Sequence, residues 1–212
     1  ARFDEEANLE WKTELENAGV KVLIGVPNMK VHAKLCLIKK IVHNKPIFYG
    51  FVSTGNLNER TAKIYGDHCL LTADKNIMAD VNRIFHYLEN PKLRLPVLRA
   101  CKTLLVSPIS MRKQISLLIA KEIVFAKKGL PASITLKINS LSDEALILEL
   151  TEAAKAGVEI KMVIRGIFCM LTENKKFKIP LQAISIVDEY LEHARVMIFY
   201  NGGKEKVYIS SA

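Results

Sequence analysis

The sequence is short of several things, and each shortage excludes a class of protein. Aromatic residues make up only 7% of the 212 residues, with a single tryptophan. That is too few to interleave with a basic surface as single-strand nucleic-acid binders require, so no specific nucleic-acid partner is expected. The cysteines, Cys36, Cys69, Cys101 and Cys169, stand far apart among apolar neighbours and form no C-x-x-C pair. A disulfide framework and a thiolate zinc site are thereby excluded, and the expectation is four buried thiols in a reducing compartment. No apolar run approaches the ~18 residues needed to cross a bilayer, and no charged-then-apolar leader opens the chain. Cytoplasm is the default location. Low-complexity tracts are absent, and hydrophobic residues at 50% with charged residues at 25% fit a folded chain with a real core.

What is present is basic. Lys+Arg 31 against Asp+Glu 22 leaves a formal charge of +9, which points to a polyanionic partner: nucleic acid, anionic lipid or a phosphate-rich substrate. At roughly 150 residues per domain the length allows one large domain or two small ones. The chain opens without Met inside an amphipathic pattern (Phe3, Ala7, Trp11, Leu15, Ala18) and closes on an apolar alternating segment, so a piece of a longer protein is expected.

Periodicity predicts a helix over 4–17 with Gly19 as its C-cap, strands over 20–26 and 30–38, a polar loop over 39–46, and a strand over 47–53. A helix over 59–65, a strand over 68–72 and a helix over 74–88 follow, with a proline-marked linker over 92–102. Beyond it come a strand over 103–106 and a helix from Ser107-Pro108 to about Lys128, closed by Gly129. Next are a strand over 133–138, a helix capped by Ser142 and ending at Ala156, a strand over 158–165, a short strand over 183–186 and a closing hairpin.

The two halves echo each other. Ala18-Gly19-Val20 follows a helix and leads to His32-Ala33-Lys34, while Ala156-Gly157-Val158 follows a helix and leads to His193-Ala194-Arg195. This ordered repetition predicts two related α/β halves, 1–99 and 100–212. Residues i and i+2 of a strand share a face, so each histidine stands beside its cation. A neutral imidazole next to a fixed positive charge suits phosphoryl transfer: the ring attacks phosphorus while the cation neutralises the equatorial oxygens. The loop Thr54-Gly55-Asn56-Leu57-Asn58 adds backbone N–H groups and two side-chain amides at a helix start. A lone His-x-Lys is more often only a polar strand face, and a Gly-Asn-x-Asn loop only a turn; it is the register of three features that favours a site. His43, His68 and His86 lack such company and read as structural.

Lys30 to Lys34 followed by Gly55-Asn56-Leu57-Asn58 resembles the H-x-K … G-S-x-N signature of the phospholipase D superfamily, which carries it twice. Lys39 replaces the aspartate expected five residues after the lysine, and Arg195 replaces a lysine, both against an ordinary phosphodiesterase. Longer strings, among them 1–8, 30–35, 54–59, 70–74, 184–188, 190–193 and 208–212, resemble the polyphosphate kinase family of the phosphohistidine type, over nearly the whole chain. The resemblance implies two tandem phospholipase D-like α/β domains with mixed sheets, each incomplete. It implies that His32 is phosphorylated by ATP, that His193 assists proton transfer at the nucleotide site, that Tyr65 contacts ATP and that Arg165 contacts phosphates. Lys34, Arg195, Asn56 and Asn58 would share the equatorial charge. Arg2 matches an arginine associated with Mg²⁺; having donors only, it is read as holding the phosphate oxygens that the metal also binds. The implied partners are ATP/ADP and inorganic polyphosphate, with peripheral membrane association and homo-oligomerisation of the full-length enzyme, and an isolated fragment that is folded but inactive. The competing expectations are a phosphodiesterase acting on lipid or nucleic acid, and a non-enzymatic polyanion-binding module.

Overall fold

The computed structural model describes residues 5–26, 29–90 and 96–211. Helix α1 (Glu5–Asn17) ends where Gly19 takes a positive φ and Val20 N–H returns to the Leu15 carbonyl, the glycine-closed helix end that the sequence predicts. Leu9, Trp11 and Leu15 on it are uncovered, Trp11 being 66% exposed.

The strand expected over 20–26 does not form. A strand needs a neighbour for its ladder, and among the described residues the segment makes only one isolated bridge, Val26 to Met29. The polar loop expected over 39–46 is corrected too. β1 (Lys34–Val42) and β2 (Lys45–Ser53) pair along their whole length, joined only by His43 and Asn44, both with positive φ. A two-residue turn of that hand matches the strands' twist and lets Lys39 to Val42 stay in the ladder.

Asn58 caps α2 (Glu59–Ala62), which is shorter than the helix expected over 59–65 because the chain straightens into β3 (Tyr65–Gly66). After β4 (Cys69–Thr72), Asp74 caps α3 (Lys75–Glu89). The expected linker contains a short helix, α4 (Pro96–Arg99), with Leu98 buried. No strand forms over 103–106, since the N–H groups of Lys102, Thr103 and Leu104 all donate to Asp80 Oδ2, at 2.9, 2.7 and 3.0 Å. A carboxylate holds what a neighbouring strand would otherwise hold.

Helix α5 (Met111–Lys127) starts later than expected, after a turn in which Ser110 N–H donates to the Val106 carbonyl. β5 (Ser133–Ile138), α6 (Glu144–Ala156, capped by Asp143 rather than Ser142), β6 (Glu159–Ile164) and β7 (Gln182–Ile184) follow. β8 (Leu191–Glu192), β9 (Arg195–Phe199), a 3₁₀ turn at Asn201–Gly203 and β10 (Lys206–Ser210) complete the fold.

The architecture is mixed α/β. An antiparallel sheet orders β1-β2-β4, and a mixed sheet orders β10-β9-β5-β6-β7 with parallel β5-β6-β7. The large buried cluster lies between that second sheet and α5 and α6, with Phe199, Ile134, Leu150 and Ile160 almost fully enclosed. The first sheet is thinly covered, its Ile41 and Leu71 exposed. The halves meet in a third, two-stranded sheet, where β3 runs parallel to β8 with Tyr65 opposite Leu191 and Gly66 opposite Glu192. No helix among the described residues is long and apolar enough to cross a membrane.

The expectation of four buried thiols is corrected. Cys36 and Cys101 are half-buried, whereas Cys69, which opens β4, and Cys169, in the loop after β6, are exposed; all are free.

Candidate active site

The β3–β8 ladder decides where the functional side chains go. Immediately after β3 comes Asp67, and immediately after β8 comes His193. The N–H groups of His193 and Ala194 both donate to the Gly66 carbonyl, at 3.2 and 2.9 Å, so the two strand ends are stitched together. His193 is buried, and its Nδ1–H donates to Asp67, 2.9 Å from Oδ1 and 3.1 Å from Oδ2. Its Nε2 lies 3.1 Å from Arg195 Nη1. A single tautomer satisfies both partners: the proton on Nδ1, the lone pair on Nε2. The Tyr65 ring packs on the His193 imidazole, centroids 4.9 Å apart.

Asp67 is itself held. The buried hydroxyl of Thr54 donates to its Oδ1 at 2.6 Å and accepts the N–H of His68. Gly55 lies so close that an added Cβ would stand 2.6 Å from Asp67 Oδ2, a contact that only glycine avoids.

His32, on the approach to β1, repeats the arrangement. Lys34 Nζ donates to the His32 carbonyl at 2.9 Å and lies 3.0 Å from Nδ1 and 3.2 Å from Nε2 of the same ring. Arg195 Nη1 donates to the His193 carbonyl at 3.0 Å in the same way. The cation two residues on thus folds back over its histidine in both motifs.

Burial, then the charge of Lys34, pushes the His32 imidazole below its ordinary value; Lys30 and Arg195 add to this, and a hydrogen bond with the Ser211 backbone opposes it. Burial, then Arg195, likewise depresses Lys34, with Asp67 opposing. Burial is the main cause at Arg195 also, offset by Asp67 and reinforced by Arg165 from the end of β6. The guanidinium that touches His193 therefore also acts on His32, so the two motifs lie within electrostatic reach of each other.

Asn58 is committed to its helix, its Oδ1 accepting from the N–H groups of Arg60 and Thr61 at 3.0 and 3.1 Å, and Asn56 is exposed on the loop. Arg2 lies outside the described residues. Asp67 was not anticipated, since an aspartate between a two-residue strand and a histidine has no local signature; its only clue is that it is the sole carboxylate between Glu59 and Asp74. Among the described residues no three His, Cys, Asp or Glu gather as a metal site, and Asp67 is already engaged by Thr54 and His193. The described residues do not fit a resident Mg²⁺; they fit an anion.

Comparison with known proteins agrees with this chemistry. Residues 104–212 match the family model described as polyphosphate kinase C-terminal domain 2, and residues 1–94 match that of C-terminal domain 1. The chain belongs to the polyphosphate kinase family. It is 44% identical over 212 residues to the polyphosphate kinase of Escherichia coli K12 and 46% identical over 214 residues to that of Vibrio cholerae, in each case over 100% of this chain. It spans 30% of the length of those curated relatives. The crystal structure of polyphosphate kinase from Porphyromonas gingivalis superposes with a TM-score of 0.85 at 39% identity, covering 100% of this chain and 34% of that one.

Proposed function

We propose that this chain is the phosphohistidine-bearing part of a polyphosphate kinase, moving the γ-phosphate of ATP reversibly to the end of inorganic polyphosphate. The observation that supports the reading is a His-x-cation motif in each half, with the Arg195 guanidinium that touches His193 acting on His32 as well. In the first step a ring nitrogen of neutral His32 attacks the γ-phosphorus; the N–P bond forms, the P–O bond to ADP breaks, and ADP leaves with its electron pair. In the second, a terminal oxygen of polyphosphate attacks the phosphoramidate, the N–P bond breaks, and the chain is one phosphate longer. Catalysis by this chain is positioning and charge neutralisation.

His32 is the nucleophile. Lys34, Arg195 and Arg165 neutralise the equatorial oxygens, and the exposed Asn56 together with the spare amide N–H groups of Asn58 serve the outer phosphates. His193, poised by Asp67, handles the proton at its Nε2, and Tyr65, braced on His193, presents its outer face to the nucleotide. Mg²⁺ arrives with ATP as part of the substrate, and Arg2 holds the phosphate oxygens of that complex. The same reading takes 1–99 and 100–212 as two domains of the enzyme, which works in the cytoplasm as a homo-oligomer with peripheral attachment to the membrane.

The experiment is labelling. Full-length enzyme incubated with γ-labelled ATP should carry acid-labile phosphate on His32, and His32→Ala should carry none. Label retained in His32→Ala, or turnover of a phosphodiester without ATP, overturns the reading.

A further inference from the structure

Between β8 and β9 the chain changes sheets. At Leu191 and Glu192 it belongs to the ladder with β3, and from Arg195 it belongs to the mixed sheet; His193 and Ala194 lie in the step between. The Gly66 carbonyl holds the step by its two backbone N–H groups, and the step carries the histidine whose two ring nitrogens are both committed to partners.

Lys137 spans this step. It sits on β5, directly opposite Val196 in the ladder, next to the buried Leu136. Its ammonium donates to Glu192 Oε2 at 2.8 Å and to the Ala194 carbonyl at 3.2 Å. One cation therefore holds the residue before His193 by its side chain and the residue after it by its backbone. The pair is substantially shielded from water, with side chains 20% and 29% exposed, so the attraction is stronger than between two fully solvated partners.

We propose that Lys137 is a positioning residue for His193, an inference that rests on the reading above in which His193 takes part in phosphoryl transfer. It clamps the step so that Nδ1 stays on Asp67 and Nε2 stays at Arg195. The Arg195 contact, at 3.1 Å, is near the long end of a hydrogen bond, and misplacement of a catalytic group by about 1 Å can cost on the order of 10²-fold in rate. Release of the clamp therefore acts on the chemical step and leaves ATP binding nearly unchanged.

The test uses full-length enzyme. Lys137→Met should lower kcat by about tenfold with the KM for ATP held within about twofold. Lys137→Arg, which can still donate to both partners, should recover most of the loss. Glu192→Gln should lower kcat less, and the double variant Lys137→Met/Glu192→Gln should be no slower than Lys137→Met, as for two residues acting as one clasp. Lys161→Met, which removes an exposed pair with Glu159, serves as the unaffected control. If His193→Ala itself leaves kcat intact, the role of His193 fails. If His193→Ala is crippled but Lys137→Met keeps wild-type kcat, or loses activity only in proportion to its folded fraction, the clamp fails. Should Lys137→Met not fold, Glu192→Gln decides: unchanged kcat overturns the proposal.

Discussion

His32 is the residue whose environment says most about the chemistry. Burial and the adjacent Lys34 ammonium both disfavour the imidazolium, so the ring keeps its lone pair at a pH where an ordinary histidine is half protonated. The rate of autophosphorylation should therefore hold steady as pH falls through the ordinary histidine range and decline only below it. Lys34→Met removes a charge that lowers the value, so the inflection should move up towards that range; a pH–rate profile of the two enzymes checks the sign. Stability carries the same signature. Above the ordinary histidine pKa both folded and unfolded His32 are neutral and nothing is lost, whereas below it the unfolded chain binds the extra proton first and the folded state weakens.

Asp67 offers a second test at this scale. Asp67→Asn can still touch Thr54 but no longer presents a charge to His193 Nδ1–H, and turnover should fall by about 10²-fold, the low end for a general acid–base contribution. Gly55→Ala should lower turnover by the same route, since the new methyl must push Asp67 aside. Steady-state kinetics on both variants, with circular dichroism to confirm folding, is the measurement. The cysteines give a contrast that needs no substrate. The Cys101 thiol is pushed up to about 11 by burial, with Asp80 adding to it, whereas Cys69 and Cys169 are exposed. Iodoacetamide at pH 8 should alkylate Cys69 and Cys169 well before Cys101, as peptide mass spectrometry would read out.

Among the elements, Asp80 shows why local pattern and final structure can disagree. Thr103 to Val106 has the residues of a strand, but its ladder donors are taken by a carboxylate on α3 whose Oδ1 also receives Arg83 Nη1 at 2.6 Å. Asp80→Ala would strand three N–H groups and should cost about 3 kcal/mol in a denaturant titration, with new proteolytic cuts near 102–104. The elements that sequence made legible are those closed by their own chemistry. Gly19, Gly129 and Gly157 end helices with positive φ, Asp74 caps α3, and the apolar alternation of β5 marks its bounds without error. Those that were misread depend on distant partners. Residues 20–26 carry strand composition without a described neighbour, and β3 and β8, at two residues each, exist only because they pair with each other. The same holds for the site: the His-x-cation pairs are local and could be read, whereas Asp67 meets His193 across 126 positions of sequence.

For the whole molecule, the burial is lopsided. The mixed sheet and its two helices enclose a continuous core, while the sheet β1-β2-β4 keeps several large apolar side chains exposed. Hydrogen exchange should follow this division, with slow amides in β5, β6, β9, α5 and α6 and faster ones in β1, β2 and β4; equal protection throughout would contradict it. Part of the basic excess acts locally, with Lys34, Lys30 and Arg195 bearing on His32 and Arg165 on Arg195.

The halves are joined by the two-residue ladder of β3 and β8 and the bonds of His193 and Ala194 beside it, and the consequence is kinetic. Within each sheet the pairings span shorter stretches of sequence, the longest being that of β5 with β9, but β3 reaches β8 only after a still longer stretch of chain has been confined, an entropic cost repaid by few bonds. The seam should thus be among the late contacts to form and the early ones to open. Opening it would leave both sheets their own ladders while parting His193 from Asp67, so the site should be lost before the fold is.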